Sequence, residues 1–247
     1  MNIIVFGDSE WGKALSADDE RAIHILEVLR LKPGDEFRVG LLNTGLGRAR
    51  LLSVDSHALG ISFPVKESLE PDSPALEIHL ILGHPRPPVM QRLLKDLNAL
   101  GMASLSVCVT ELSEKSYFQS RLWSKDLWSS FLVQGAQQGG HVHMMQVKRF
   151  WSLKKAIDDL SFSKKHQRVS LDIGSQGNSL LAWANEYEPN IDGPVVLAIG
   201  PERGWSDQER SLMADNQFKS FKLGNRILRT ETACVLACGM LALAAQS

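Results

Sequence analysis

From residue 75 onward, apolar runs typical of β-strands alternate with runs of helical spacing, and no other feature constrains the fold as much. The strand-like runs are Glu77–Leu82, Ser104–Thr110, Met145–Val147, Val169–Ile173, Val195–Ile199 and Phe218–Leu223. The helical runs are Val89–Ala99, Ser124–Gln138, Leu153–Leu160, Ser179–Glu186, Asp207–Asn216 (capped by Ser206) and Thr230–Ala245. This alternation predicts an α/β fold with a mostly parallel sheet that is covered by helices on both faces.

The first seventy residues have a different pattern, which is mostly β. After a short strand, Asn2–Phe6, the run Ser16–Arg30 has helical spacing, with Ser16 as its predicted N-cap. Three strand-like runs follow, near Phe37–Leu42, Arg48–Val54 and Gly60–Val65. Residues 67–74 then carry two prolines, three acidic residues and two serines. We therefore expect two domains, residues 1–70 and residues 75–247.

Composition places the chain among ordinary globular proteins. Of its 247 residues, 44% are apolar and 22% are charged, and the formal net charge is −1. No apolar run approaches the roughly 20 residues that span a bilayer, and the start lacks the basic region of a secretory signal. Three cysteines are too few for a disulfide framework. We expect a cytoplasmic protein without a membrane segment.

One segment, residues 148–168, is rich in basic side chains. It contains seven of them, against only two aspartates before Ser161. Such a cluster suits contact with phosphate, and it equally suits one solvated helix face. The basic residues are Lys148, Arg149, Lys154, Lys155, Lys164, Lys165 and Arg168.

Three further motifs suggest sites, and each has a simpler interpretation. Gly7–Lys13 matches the GxxxxGK pattern of a phosphate loop, but Ala14 replaces the hydroxyl residue that binds Mg²⁺. His141 and His143 could begin a metal site, but no suitably spaced cysteine or acidic cluster accompanies them, so we expect no bound metal. Cys234 and Cys238 lie in an apolar helix, which favours buried thiols in the core or at a subunit contact.

Glycine-containing loops follow three predicted strands of the second domain. They read DIGSQG at 172–177, IGPERG at 199–204 and LGNRIL at 223–228. Ligands bind beyond the carboxyl ends of the strands in open α/β sheets, and glycine lets the backbone approach a ligand closely. The loops therefore outline one binding cleft, although residue types alone leave three ordinary strand–helix turns as an alternative.

Two motifs carry a resemblance to a known family. AIGPERGWSDQE at 198–209 and LGNRILRTETA at 223–233 closely resemble the RsmE-type 16S (small-subunit) ribosomal RNA uridine-N3 methyltransferases of the SPOUT superfamily. AIHILEVLRLKPGDEF at 22–37 resembles that family's entry into a small PUA-like β-barrel. The resemblance therefore covers most of the chain.

The resemblance implies a fold, a cofactor and partners. Residues 1–70 would form an RNA-binding PUA-like β-barrel, and residues 75–247 a SPOUT α/β domain with a trefoil knot. The protein would be a homodimer that binds S-adenosylmethionine and acts on ribosomal RNA or the small ribosomal subunit. By position, the cofactor-binding residues would be Ile173, Gly174, Ile199, Gly200, Pro201, Gly204, Leu223, Gly224, Ile227 and Leu228.

The resemblance also points to catalytic residues. Methylation of uridine N3 removes the N3 proton, so negative charge develops on the base, and a guanidinium group would stabilise that charge. Arg229 is the first candidate and Arg226 the second. Glu202 would hold Arg229 or a backbone amide, or assist the proton transfer; a contact with a helix N-terminus is an equal alternative.

The chain departs from the family on the side that faces RNA in relatives. Arg203 replaces the first of two glycines after Pro-Glu, and HPRPPVMQR at 84–92 replaces a Lys-Gly-x-x-Met-Glu type run. QGAQQGGHVHMMQV at 134–147 lacks the family's arginine and proline. Substitutes for these groups would be His84, Arg86, Lys115 and Tyr117.

The sequence is compatible with three functions. A fourth, a P-loop nucleotide hydrolase, would require Lys13 to bind phosphate. The first is methylation of a uridine N3 in small-subunit ribosomal RNA. The second is the same chemistry at another RNA site. The third is a non-catalytic RNA-binding assembly factor, against which the intact LGNRILRTETA motif argues.

Overall fold

The computed structural model describes residues 3–124, 127–159, 166–174 and 178–245. The chain divides into two compact units. The first comprises Met1–Pro74 and Val133–Met144, and the second comprises Ala75–Leu132 and Met145–Ser247. Residues 133–144, which the sequence analysis placed in the second domain, thus belong to the first unit.

A five-stranded mixed sheet forms the first unit, in the order β1-β3-β4-β5-β2. β1 and β3 are parallel, and the other neighbours are antiparallel. Inside the sheet, Phe6, Trp11 and Phe63 pack with ring centroids 4.8–6.3 Å apart. The strands are β1 (Ile4–Phe6), β2 (Leu15–Ser16), β3 (Glu36–Leu41), β4 (Gly45–Val54) and β5 (Ala58–Ser62).

The predicted helix of this unit starts later than expected. Helix α1 spans Glu20–Ile23 and continues as a π-helical turn over His24–Val28. The prediction of Ser16 as N-cap is wrong, because Ser16 pairs in β2 and Asp19 caps the helix by accepting from the Arg21 amide at 2.8 Å. Asp19 also binds the Arg21 guanidinium, so the cap and the ion pair favour the same start.

The segment that joins the first unit from later in the chain is held by its backbone. The amide of Val142 donates to the Asp72 carboxylate at 2.6 Å, and the carbonyl of Val142 accepts from the Asn43 amide at 2.9 Å. The Val142 side chain is buried against Ile3 and Val5. These contacts join residues about seventy or more positions apart, so they could not be predicted from local sequence patterns.

The second unit contains a six-stranded sheet in the order β11-β9-β10-β6-β7-β8, in which every neighbouring pair is parallel. Its strands are β6 (Leu76–Gly83), β7 (Met102–Cys108), β8 (Gln146–Phe150), β9 (Gln167–Leu171), β10 (Val195–Ile199) and β11 (Lys219–Phe221). Its helices are α2 (Pro87–Ala99), α3 (Leu127–Gly139, which extends into the first unit's residues), α4 (Leu153–Asp159), α5 (Leu180–Ala184), α6 (Pro189–Asp192), α7 (Asp207–Asp215) and α8 (Thr230–Ala244).

Helices cover both faces of this sheet, as predicted. Successive side chains of a strand point to opposite faces, and Leu80, Ile81 and Leu82 of β6 are all buried. α4 and α7 contribute to the cluster around Ile81, while α2 and α8 contact each other outside that cluster, with α8 also against β6 and α2 against β7. The predicted α/β fold class is therefore confirmed. The trefoil knot stays a prediction.

Candidate functional site

The first loop at the carboxyl edge of the parallel sheet follows β9. Asp172 accepts a hydrogen bond from the Gly174 amide at 3.1 Å. It also forms an ion pair with the Arg210 guanidinium at 2.5 Å. The carboxylate raises the pKa of Arg210, chiefly through this hydrogen bond. Arg210 in turn binds Asp207 at 2.8 Å, so α7 fixes the loop electrostatically. Residues 175–177 of the predicted loop lie outside the described residues.

The second loop follows β10 and depends on glycine for steric reasons. A Cβ atom on Gly200 would lie 2.9–3.0 Å from backbone atoms of Gly204, which itself has a φ of +71°. A Cβ on Gly83, at the end of β6, would lie 2.4 Å from Pro201. The loop therefore folds tightly back on itself and packs against the end of β6, which leaves no room for a side chain at Gly200 or Gly83.

The third loop follows β11 and leads into α8. Gly224 has a φ of +85°, which a side chain would strain. Ile227 is 78% exposed, which is unusual for a large apolar side chain at the rim of a cavity. Arg229, the N-cap residue of α8, has extended backbone and makes no side-chain capping bond.

These three loops enclose a single cavity of about 490 Å³. Every residue that the resemblance assigned to the cofactor lines it, and so do Glu202 and Arg226; Arg229 is not among the described lining residues. The further lining residues, which were not assigned to cofactor or catalysis from the sequence, are Leu171, Asp172, Arg203, Trp205, Arg210, Lys222, Asn225, Thr230 and Ala233. The role of Arg210 had no local sequence signal, because its partner Asp172 lies 38 positions earlier.

Glu202 reaches the beginning of α2 rather than Arg229. Its Oε1 atom accepts a hydrogen bond from the Arg86 amide at 3.0 Å, and Arg86 is the N-cap residue of α2. Pro87 and Pro88 follow and have no N–H, so few amides at this helix end need a partner. Two of the sequence-based alternatives for Glu202 fit this bond: it holds a backbone amide, and it contacts a helix N-terminus.

The basic segment of residues 148–168 is partly neutralised where it is described. Lys148 pairs with Asp159 at 2.7 Å, and Lys154 with Asp158 at 2.8 Å. The guanidinium of Arg168 donates to the Asn216 carbonyl at 2.7 Å. Lys164 and Lys165 lie outside the described residues. For Lys148 and Lys154 the ion pairs favour the solvated-face interpretation over contact with phosphate.

The phosphate-loop pattern does not form a phosphate site. A carboxylate oxygen of Glu10 accepts from the Gly7 amide at 2.7 Å, so an anion of the chain itself occupies the turn. No helix begins at Lys13, because the next helix has Asp19 as its cap. The Glu10 carboxylate also pairs with Arg21 at 2.6 Å.

The remaining motifs from the sequence have structural explanations. Cys234 and Cys238 are free thiols that are fully buried in α8. In the described part of the chain, no group of three or more metal-ligating side chains surrounds His141 and His143. Likewise, no described helix is both long and apolar enough to cross a membrane.

Comparison with known proteins places the chain in a family. A model described as an RNA methyltransferase domain matches residues 71–242, and one described as an RNA methyltransferase PUA domain matches residues 17–61. The ribosomal RNA small subunit methyltransferase E of Treponema pallidum is 33% identical over 98% of this chain and 90% of its own length. A relative named ribosomal RNA small subunit methyltransferase E 1, from Borreliella burgdorferi, is 28% identical over 96% of this chain and 95% of its own. The chain belongs to the ribosomal RNA small subunit methyltransferase E family.

Solved structures support the fold. A Legionella pneumophila methyltransferase in complex with S-adenosylmethionine superposes with a TM-score of 0.74 at 23% identity, covering 99% of this chain and 98% of the other. The Neisseria gonorrhoeae ribosomal RNA small subunit methyltransferase E, also bound to S-adenosylmethionine, gives a TM-score of 0.68 at 21% identity, covering 96% and 95%. At these identities the likeness establishes the shared fold.

Proposed function

We propose that this chain transfers a methyl group from S-adenosylmethionine to N3 of a uridine in small-subunit ribosomal RNA. The observation that carries the proposal is the convergence of three strand-end loops on one cavity, in a chain whose relatives are named small-subunit ribosomal RNA methyltransferases. The ten residues assigned by resemblance, which come from these three loops, all line that cavity and so support the proposal.

The cavity fits a cofactor of this size and chemistry. Its volume of about 490 Å³ falls in the usual range for small-molecule sites. Ile199, Leu223 and Leu228 offer apolar contact to an adenine ring, while the backbone at Gly200 and Gly224 carries no side chain that would keep a ligand away. Asp172 and Arg210 hold each other, so they shape the wall without an unpaired charge.

Bound there, S-adenosylmethionine supplies a methyl group on a positively charged sulfur. The chain's task is to align the uridine N3 with that methyl group and to stabilise the negative charge that appears as the N3 proton leaves. Arg226 lines the cavity, and Arg229 caps the helix that begins at its edge. We assign charge stabilisation to these two arginines, with Arg229 in the leading role.

Glu202 is best described as a positioning residue. Through the Arg86 amide it ties the second cavity loop to the start of α2. Loss of that bond would loosen the loop that carries Gly200 and Pro201. We therefore expect Glu202 to affect the geometry of methyl transfer more than its proton chemistry.

The rest of the chain suits an RNA substrate and a second subunit. We propose that residues 1–70 form an RNA-binding PUA-like domain and that residues 75–247 form the methyltransferase domain. We also propose a homodimer through α8, whose exposed side chains include Leu236 and Leu243. A ribosomal RNA substrate implies that the protein works in the cytoplasm.

Nucleoside mass spectrometry of small-subunit ribosomal RNA, from cells with and without the gene, tests this function. We expect 3-methyluridine to disappear in the deletion and to return when the wild-type gene is restored. If 3-methyluridine persists while the purified protein binds S-adenosylhomocysteine, the enzyme acts on another RNA site. If the protein binds neither S-adenosylmethionine nor S-adenosylhomocysteine, it is a non-catalytic RNA-binding factor.

A further inference from the structure

Three aromatic side chains and one arginine gather at the carboxyl ends of two neighbouring strands, β7 and β8. Phe118 and Trp123 come from the long connection after β7, while Arg149 and Trp151 lie at the end of β8 and just beyond it. We call these four residues the aromatic shelf. None of them was assigned to cofactor or catalysis.

The side chains of the shelf pack closely against one another. Arg149 places its guanidinium carbon 4.3 Å from the ring centroid of Phe118 and 4.8 Å from that of Trp123. The ring centroid of Trp151 lies 4.3 Å from that of Phe118, and the two ring planes are tilted by 54°. Phe118 is buried, whereas Trp151 is 56% exposed. The Trp151 indole is therefore supported by a buried ring and remains accessible to a ligand.

Hydrogen bonds hold the shelf in place. Trp123 donates from Nε1 to Nε2 of the fully buried His84 at 2.8 Å. That bond leaves the His84 proton on Nδ1, which lies 2.6 Å from the Pro85 carbonyl. Burial lowers the pKa of His84, in agreement with this neutral form. Arg149 donates to the Phe118 carbonyl at 2.8 Å, and its other N–H groups have no hydrogen-bond partner among the described residues.

The shelf and the cavity share one edge of the sheet. His84 directly follows β6, and two residues later the Arg86 amide binds Glu202, which lines the cavity. Because all six strands are parallel, the ends of β6, β7 and β8 lie at the same edge as those of β9 and β10. A polymer that reaches the cavity along this edge would pass the shelf.

We propose that the aromatic shelf binds an unpaired nucleobase of the RNA substrate, which stacks on the Trp151 indole while the free N–H groups of Arg149 face the adjacent phosphate. Exposed aromatic rings and arginine planes are the groups that bind unstacked RNA bases. Arg121, which lies between Phe118 and Trp123 in the chain, and Arg86, two residues after His84, are exposed and suit an anionic partner. The proposal rests on the proposed function, because it assumes an RNA substrate, and it makes Trp151 a substrate-binding residue.

Binding of a fluorescein-labelled ten-nucleotide oligouridine, measured by anisotropy with saturating S-adenosylhomocysteine, tests the proposal. We expect Trp151→Ala to raise the Kd about ten-fold, and Trp151→Phe to raise it much less, because a phenyl ring still stacks. Arg149→Ala should weaken binding more than Lys148→Ala, a matched loss of charge next to it whose lysine is already paired with Asp159. Trp151→Ala and Lys148→Ala should melt within a few degrees of wild type, since both side chains are largely exposed.

Two outcomes would overturn the proposal. One is wild-type oligouridine affinity in Trp151→Ala, and the other is an equal loss in Arg149→Ala and Lys148→Ala, which would indicate charge without stacking. Methylation kinetics on the purified RNA separate this failure from failure of the proposed function. If the wild-type enzyme methylates RNA and Trp151→Ala has unchanged KM and kcat, only the proposed role of the aromatic shelf is refuted. If the wild-type protein transfers no methyl group, the proposed function is refuted, whatever the oligouridine result.

Discussion

Arg229 occupies a position that a helix by itself would not favour for a cation. It caps the N-terminus of α8, where the helix dipole is positive, and it makes no side-chain capping bond there. The first turn of the same helix places Glu231 in an ion pair with Arg92, at 2.5 Å. A cation kept at a positive helix end, at the edge of a cavity, suggests a role in binding or catalysis rather than in stability.

Replacement of Arg229 should therefore separate chemistry from folding. We expect Arg229→Ala to reduce kcat roughly 100-fold, because charge on the base would lose its guanidinium partner. The melting temperature should stay the same as in the wild type or rise slightly. The Kd for S-adenosylhomocysteine should stay within about two-fold of the wild-type value. Single-turnover methylation and calorimetric titration measure the two effects. Arg229→Lys is the control that retains the charge, and normal turnover in Arg229→Ala would refute the role.

The three thiols should be chemically silent in the folded protein. Burial raises the pKa of Cys108 and Cys234, and it raises that of Cys238 to about 12. At pH 8 the reactive thiolate is therefore a negligible fraction, and the reagent has no access. We expect no reaction with Ellman's reagent in native buffer and three equivalents in denaturant. Rapid labelling of the native protein would contradict the buried assignment.

At the scale of elements, the start of α7 is stabilised by hydrogen bonds between residues close in sequence. Ser206 accepts from the Glu209 amide at 3.1 Å, and Glu209 accepts from the Ser206 amide at 3.0 Å, which forms a capping box at the start of α7. Glu209 also accepts from the Glu111 amide at 2.9 Å. One side chain thus secures a helix start and the loop after β7.

Loss of the cap should be measurable as stability. We expect Ser206→Ala to lower the free energy of unfolding by about 1 kcal/mol. Ser206→Asp should restore most of it, because aspartate also caps helices well. Urea unfolding followed by circular dichroism gives both values. A change below about 0.3 kcal/mol in the alanine variant would show that the cap contributes little here.

The loops that line the cavity depend on glycine to different degrees, and this difference can be tested. Gly200→Ala should abolish or strongly weaken binding of S-adenosylhomocysteine, because its Cβ would lie within 3.0 Å of Gly204 backbone atoms. Gly174→Ala is the matched comparison in another loop, where the nearest atom would be 3.7 Å away. We expect the second variant to bind several-fold better than the first by calorimetry. Equal affinities would show that crowding at Gly200 is relieved by movement of the loop.

At the scale of the whole molecule, α8 carries a surface that the single chain leaves open. A cavity of about 430 Å³ lies between α5 and α8 and is lined by Leu181, Tyr187, Met240 and Leu243, among others. Leu181 is 56% exposed and Leu243 is 73% exposed. Exposed apolar side chains beside an apolar recess are typical of subunit contacts.

A charge on this surface should dissociate the proposed homodimer. We expect Leu243→Glu to shift the mass in light scattering from two chains to one, because an unpaired carboxylate would be buried in the contact. Leu52→Glu, at an exposed leucine of β4 rather than of α8, is the control and should stay dimeric. A wild-type protein of single-chain mass would refute the homodimer itself.

The sequence by itself determined the order of the six strands of the second unit and of all its helices except α6 (Pro189–Asp192). Apolar runs such as Val195–Ile199 and the cap at Ser206 act through neighbours only a few positions away, so they can be recognised in the chain. The family motifs likewise located ten residues that the structure gathers around one cavity. Helix starts with more than one possible local cap were less predictable. Ser16 was predicted as the N-cap of α1, whereas Asp19 is the N-cap in the structure.

Only the tertiary structure decided which distant groups meet. The Arg210 pairing with Asp172, the Glu202 bond to the Arg86 amide and the shelf beneath Trp151 all join residues more than 30 positions apart. Side-chain period and turn chemistry describe a chain over a few residues, whereas these contacts depend on the order in which parallel strands assemble. That order placed the loops of β9, β10 and β11 and the aromatic rings after β7 and β8 at one edge of the sheet.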